Sequence, residues 1–373
     1  MINKKRLIRL TQDLVRINSE NPPGDELEIG KLVKKYLENL GIKVKVYEFK
    51  KNRSNIIAVL KGKSRNSLLI TPHLDTVPAG RSWIELPFAG EIKNGKIYGL
   101  GSTDCKCNVA ISLEVINSLI EDNQELPYDL IFAATADEES GSDLGLIPLL
   151  DKKILKPDVA VVLDADDFDI VVAQKGLMHI KIKIKGKKAH GAYPQRGTNA
   201  IDQAIDIIKE IKALRFEYKK NEYLKPPTIN TGTINGGDKV NVVADWCEFE
   251  LDFRFLPGMS AQNILKDVRK IIAKYTKKYK IEIEGIQAPY EIDRGHNLVR
   301  ILKKTMEKFK IKSIIKGSEG ATVITFFQAK GIPAIATGCG FGGGAHIADE
   351  YVKVDSVYKG ALVLEEFLKN YNF

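Results

Sequence analysis

At 373 residues the chain is longer than one hydrophobic core ordinarily serves, so two domains are expected. An apolar fraction of 44% and a charged fraction of 28% are those of a folded globular protein, and the chain has no low-complexity tract and no repeat at solenoid spacing. The formal charge of +9 is spread along the chain, with no basic cluster interleaved with aromatics, so no nucleic-acid partner is expected, while an anionic substrate would suit the positive field.

The first third alternates helix and strand. Leu7, Leu10, Leu14 and Ile17 fall at helical spacing, and Pro22-Pro23-Gly24 stops the segment. A second helix is expected near Glu26–Leu40, then strands near Lys43–Phe49 and Asn55–Leu60. Ser67–Thr71, Leu130–Ala134 and Val159–Leu163 are short apolar runs without alternation, the pattern of strands buried on both faces, and a helix is expected near Lys106–Ile120. Together they predict an α/β fold with a mixed, mostly parallel sheet flanked by helices. From Met178 the order becomes strand, helix, strand, strand, helix, strand, the ferredoxin-like α+β arrangement. The α/β pattern resumes with helices near Asn297–Phe309 and Ala321–Gln328, a strand at Ala334–Thr337 and a last helix near Asp355–Tyr371. The expected domains are 1-176 and 289-373 for the larger one, with 177-288 inserted.

Four cysteines do not make a disulfide framework, Cys105 and Cys107 are too close to bridge, and a reducing, cytoplasmic setting is expected. The first 17 residues lack the continuous apolar core of a signal peptide. No apolar run approaches the roughly 18–20 residues that span a bilayer, so no membrane partner is expected.

In an open parallel sheet, sites form beyond the carboxyl ends of strands. Here four strand ends run into chemistry-bearing residues: Thr71 into His73 and Asp75, Ala134 into Glu138 and Glu139, Leu163 into Asp164, and Thr337 through a Gly-rich loop into His346. Asp104 precedes the expected helix start at Lys106. His73, Asp104, Glu139, Asp164 and His346 offer imidazole nitrogen and carboxylate oxygen, which suit two borderline cations such as Zn²⁺. Asp75, two residues after His73, is expected to hold the far nitrogen of that imidazole. His179 and His296 have no acidic motif beside them and are read as surface or packing residues.

At these residues the chain resembles the family of di-zinc metallopeptidases and deacylases that includes acetylornithine deacetylase, succinyl-diaminopimelate desuccinylase, aminoacylase and bacterial carboxypeptidase G. The matching stretches begin with Asn21-Pro22-Pro23-Gly24, His73-Leu74-Asp75-Thr76-Val77-Pro78 and Tyr98 to Lys106. Asp137 to Gly141, Ala189 to Pro194, Asp252 to Gly258 and Gly340 to His346 follow in the family's order. The resemblance implies a zinc-peptidase fold whose inserted domain serves as lid and dimerisation domain. It implies two Zn²⁺ per subunit, with Co²⁺ or Mn²⁺ as substitutes: one held by His73, Asp104 and Asp164, the other by Asp104, Glu139 and His346. It also implies a cis peptide after Asp104, Glu138 as general base, and His190 as oxyanion donor reaching the partner subunit's site in a homodimer. A water between two metals loses its proton more readily; Glu138 takes that proton, the hydroxide attacks the amide carbonyl, and Glu138 passes the proton to the leaving nitrogen. Arg254 would clamp a substrate carboxylate, and Asn241 lies in a stretch the family uses near the substrate.

The chain departs from the family in places. Cys105 stands where Met is usual and Cys107 where Gly is common. The late motif Gly-x-Thr-Asp keeps Gly320 and Thr322, with Val323 in place of the Asp and Thr325 in place of the Arg seen in the desuccinylase. In the family this stretch touches the substrate, so Gly320 and Thr322 are expected to bind it while the exact substrate does not carry over; the resemblance implies an N-acyl amino acid or a short peptide. The alternatives are a dipeptidase or metallocarboxypeptidase of the same family, and a catalytically dead dimeric binding protein on the same fold.

Overall fold

The computed structural model of the chain describes residues 1–164, 167–320, 322–340 and 344–373. It divides into two compact units. The first comprises Met1–Val172, Ile292–Lys316 and Phe326–Phe373; the second comprises Ala173–Glu291 and Gly317–Thr325.

The first unit is built on a mixed sheet whose strands follow the order Val44–Glu48, Ser54–Leu60, Asp129–Ala134, Ser67–Thr71, Val159–Leu163, Ala334–Thr337 and then Ile170–Gln174. The four strands from Asp129–Ala134 to Ala334–Thr337 are parallel, with registers such as Leu68↔Leu130, Leu69↔Ala160 and Ile335↔Val161. Ser67–Thr71, Val159–Leu163 and Ala334–Thr337 are buried along their whole length, as apolar runs with polar residues only at their ends allow. The flanking pairs are antiparallel. The Lys106–Glu121 helix is buried on nearly every face, a core helix rather than an amphipathic one. Its polar Glu114 is fully buried and takes Arg6 Nε at 2.6 Å and Nη2 at 2.9 Å. Asn3 caps the Lys4–Val15 helix by accepting from Arg6 N at 3.1 Å.

The second unit has a four-stranded antiparallel sheet in the order Thr228–Gly236, Trp246–Phe255, Gly176–Lys185, Tyr279–Gln287, with the helices Ala200–Lys212 and Ala261–Tyr275. This is the ferredoxin-like topology. Burial alternates strictly along Gly176–Lys185 and Trp246–Phe255, so one face is core and the other polar. Ile180, Ile182, Phe249 and Phe253 are fully buried against Ala204, Ile207, Val268 and Ile272. Each large side chain there contributes about 1.5–3 kcal/mol by leaving water. The opposite face carries cross-strand pairs such as Lys181–Glu250 and Lys183–Glu282, both at 2.7 Å.

The structure differs from the sequence expectation in several elements, among them the helix Leu146–Asp151 and the short strands Lys96–Tyr98 and Tyr351–Lys353. Gly317–Thr325, expected within the larger domain, packs with the second unit, where Lys175 N donates to Ser318 O at 3.1 Å. The helix expected from Ala321 is the short Ile324–Gln328, and Ala321 itself lies outside the described residues. The strand Ile170–Gln174 was not expected. No helix among the described residues is long and apolar enough to cross a membrane.

Candidate metal centre and active site

The parallel ladder continues past its strand ends. Thr135 N donates to Pro72 O at 3.1 Å and Leu74 N to Thr135 O at 2.8 Å, so His73 is bridged to Thr135, three residues before Glu138. At Asp137 the backbone turns left-handed (φ 67°) and a single 3-10 turn, Glu138–Ser140, follows, closed by Gly141 at φ 107°. The Asp75 carboxylate accepts from Glu138 N at 3.0 Å and Glu139 N at 3.1 Å, so one buried side chain holds the turn that presents both glutamates. Asn21 Nδ2 donates to Asp75 Oδ2 at 2.9 Å. Burial opposes ionisation of Asp75, but contact with His73 and these donors outweighs it and keeps the carboxyl below its usual range.

The far nitrogen of His73 is nearer the Asp75 backbone than its carboxylate: Nδ1 stands 3.0 Å from Asp75 O and 3.6 Å from Oδ1. A donor role for Nδ1 toward that carbonyl leaves the Nε2 lone pair facing Asp104 Oδ1 at 2.9 Å. The other Asp104 oxygen is 3.3 Å from His346 Nε2, which is 3.1 Å from Glu139 Oε2. Asp104 thus belongs to two groups of possible ligands, His73–Asp104–Cys105 and Asp104–Glu139–His346. The Asp104–Cys105 peptide is cis.

The electrostatics are those of a site with too much negative charge. Burial, reinforced by Glu139, Asp104 and Asp75 against the relief offered by His73, pushes Glu138 up to about 8. Burial also disfavours ionisation of Asp104, but hydrogen bonds from His346 and His73 hold its carboxyl well below the usual range. Hydrogen bonds to Asp104 and Glu139 raise His346 to about 10. Imidazole nitrogens facing carboxylate oxygens, in a pocket where a further carboxyl resists ionisation, fit the donor set of borderline divalent cations.

Not every expected ligand falls into these groups. Asp164 stands at the end of Val159–Leu163, where its N donates to Thr337 O and its O accepts from Asn108 Nδ2, both at 2.9 Å. Within the described residues its carboxylate is not gathered into either group; Cys105 takes that place beside His73. Burial pushes the Cys105 thiol up to about 12, and its sulfur is engaged with the His73 backbone, accepting from N at 3.2 Å. Of the stretch leading to His346, residues 341–343 lie outside the described residues.

The other expected residues belong to the second unit. His190 pairs with Val242 in an isolated bridge, and Gly191 N donates to Asn241 O at 2.8 Å, so the His190 and Asn241 segments lie side by side. A Cβ at Gly191 would sit 2.9 Å from the Asn241 carbonyl, which requires glycine there. His190 Nδ1 accepts from Ala192 N at 3.0 Å, so the neutral ring carries its proton on Nε2. Arg254 is already engaged: its Nε and Nη2 donate to Asp252 at 2.8 and 3.1 Å, with His179 3.5 Å from the same carboxylate. Gly320 is exposed, and Thr322 donates through N and Oγ1 to the buried Gln174 at 2.8 and 2.7 Å. Val323, where the motif has Asp, is buried. His296 caps the Asn297–Lys308 helix, its Nδ1 accepting from Leu298 N at 3.2 Å.

Sequence reasoning missed the support behind the turn at Asp137. Arg53 binds Glu26 through two bonds of 2.6 and 2.8 Å and Asp137 through one of 2.8 Å, all buried. Asn21, the first residue of the Asn21-Pro22-Pro23-Gly24 motif, also donates through Nδ2 to Asp137 Oδ1 at 3.2 Å. Nothing local in the sequence marks Arg53 or Glu26.

The model of peptidase family M20/M25/M40 matches residues 69–370. The chain belongs to this family. It is an amide-bond hydrolase, and the resemblance read from its motifs is thereby shown. It is 29% identical to the acetylornithine deacetylase of Proteus mirabilis over 355 residues, covering 91% of this chain and 89% of that one. It is 32% identical to an uncharacterized metallohydrolase of Methanocaldococcus jannaschii over 406 positions, covering 97% and 98%. Its fold is similar to a tripeptidase from Staphylococcus aureus, with a TM-score of 0.80, 26% identity and coverage of 99% and 98%.

Proposed function

We propose that this metallohydrolase cleaves the amide bond of an N-acyl amino acid, using two Zn²⁺ ions with Co²⁺ or Mn²⁺ as substitutes. The observation that carries the reading is Asp104, shared between two groups that each contain an imidazole. His73 and Asp104 would hold one ion and Asp104, Glu139 and His346 the other; Asp164, outside both groups, is assigned to the first on the family resemblance. Bound there, the cations would supply Lewis acidity toward the scissile carbonyl and lower the pKa of the attacking water.

The chain's own groups do the rest. Glu138 takes the proton of the attacking water and returns it to the leaving nitrogen. Its backbone is pinned by Asp75, so the carboxylate is offered from a rigid turn. His190 donates through Nε2–H to the developing oxyanion, from the partner subunit of a homodimer joined by the second unit. Arg254, steadied by Asp252, attracts the substrate carboxylate through the part of its guanidinium that Asp252 leaves unbound, and Asn241, Gly320 and Thr322 border the substrate.

The acetylornithine deacetylase relative supports an N-acyl amino acid, and the tripeptidase supports a short peptide as the second reading. A panel of acetyl- and succinyl-amino acids, N-acyl diamines, dipeptides and tripeptides, assayed with Zn²⁺ or Co²⁺, decides between them. Turnover confined to peptides would overturn the first reading. Hydrolysis indifferent to chelator would remove the metal mechanism.

A further inference from the structure

Glu350 stands outside the set of proposed ligands and is 1% exposed. Its carboxylate has three backbone donors, all in one turn: Thr103 N at 2.7 Å and Asp104 N at 3.0 Å on Oε1, and Gly101 N at 3.0 Å on Oε2. The neighbouring backbone closes on the same turn. Gly99 N donates to Glu350 O at 2.9 Å, Thr103 Oγ1 donates to Tyr351 O at 2.7 Å, and Tyr351 pairs with Tyr98 in a short antiparallel ladder. The Gly99–Asp104 turn, left-handed at Gly101 with φ 79°, has no regular structure of its own to satisfy these amides.

Glu350 also follows His346 by four residues on one segment. It therefore ties the segment that carries His346 to the turn that carries Asp104, the two side chains that meet at 3.3 Å. We propose that Glu350 is a positioning residue that sets the spacing of Asp104 and His346 and thereby the affinity of the centre for divalent cations. The inference rests on the reading of those two residues as ligands. An amide cannot replace the carboxylate, because one of its two ends would turn N–H groups toward backbone N–H donors. Partners that orient ligands in this way are worth about 10–100-fold in metal affinity.

The test uses the full chain stripped by chelator. Zn²⁺ stoichiometry and affinity are measured by competition with a chromophoric chelator for the wild type, Glu350→Gln and Glu350→Ala, together with the far-UV circular dichroism and thermal unfolding of each metal-free protein. The expected result is two ions in the wild type, affinity for both lowered at least about tenfold in Glu350→Ala because Asp104 is shared, and a smaller loss in Glu350→Gln. If Glu350→Ala does not fold, Glu350→Gln decides alone. Wild-type affinity in a folded variant overturns the positioning role, even where its thermal midpoint has fallen. A wild type that takes up no ion overturns the two-metal reading instead, and the positioning role with it.

Discussion

Apart from the exposed His346 of the first unit and the half-buried Arg254 and Thr322 of the second, the two units present their candidate residues in opposite ways. In the first, His73, Asp75 and Asp104 are buried or nearly so and interlocked, and the amides behind them are held by Asp75 and Glu350. In the second, His190, Asn241 and Gly320 are exposed in loops. A ligand must hold its atoms to within a few tenths of an ångström, so it needs a second layer of partners, and that layer is bought with burial. Groups that meet a substrate need access to it, and loops supply that at little cost to the fold.

The contrast can be broken by substitution. Glu138→Ala should retain both ions and lose about 10²–10⁴ in turnover, read as kcat beside metal content; wild-type turnover removes it as the proton carrier. His190→Ala should lower kcat by about 10²–10³ with a modest change in KM, and an unchanged rate rules it out as oxyanion donor.

Metal uptake should depend on pH through His346. Asp104 and Glu139 keep it protonated across the neutral range, up to about 10 rather than the ordinary 6.5. Its ion pairs therefore favour the metal-free fold fully below 6.5, and that contribution is lost as pH rises through about 10. A cation must displace the proton, so uptake runs the other way and tightens with pH by up to about tenfold per unit for each proton released. Calorimetry in buffers of different ionisation enthalpy reads the release directly, and a buffer-independent heat would contradict it.

The smallest effect is expected at Arg254. Arg254→Ala should raise KM about tenfold for substrates with a free carboxylate and leave amide-capped analogues unchanged. An equal rise for both would mean that Arg254 serves only its pair with Asp252.

How legible these regions were follows from which interactions are local. Ser67–Thr71, Val159–Leu163 and Ala334–Thr337 could be bounded from sequence to the residue, because a strand buried on both faces must be continuously apolar. Ile170–Gln174 is a buried apolar run of the same kind, but its antiparallel pairing with Ala334–Thr337 at Val171↔Ala336 is a tertiary contact that the run itself does not carry. The pair of Arg254 with Asp252, two residues away on the same strand face, is a local fact too; only the structure decided that Asp252 takes the Nε–Nη2 edge of the guanidinium.

By itself, then, the sequence determined the strand ends and the chemical kinds delivered to them, because apolar runs and the residues after them are local facts. Only the tertiary structure decided that Asp104 lies between His73 and His346, that Cys105 stands beside His73, and that Arg53, Glu26 and Glu350 hold the turns in place. Those contacts join residues far apart in the chain, and a buried charge takes whichever partner the fold brings to it. The residues proposed to hold the metals stand at strand ends and before one helix start, and the amides behind them are held by Asp75 and Glu350, which lie outside that set.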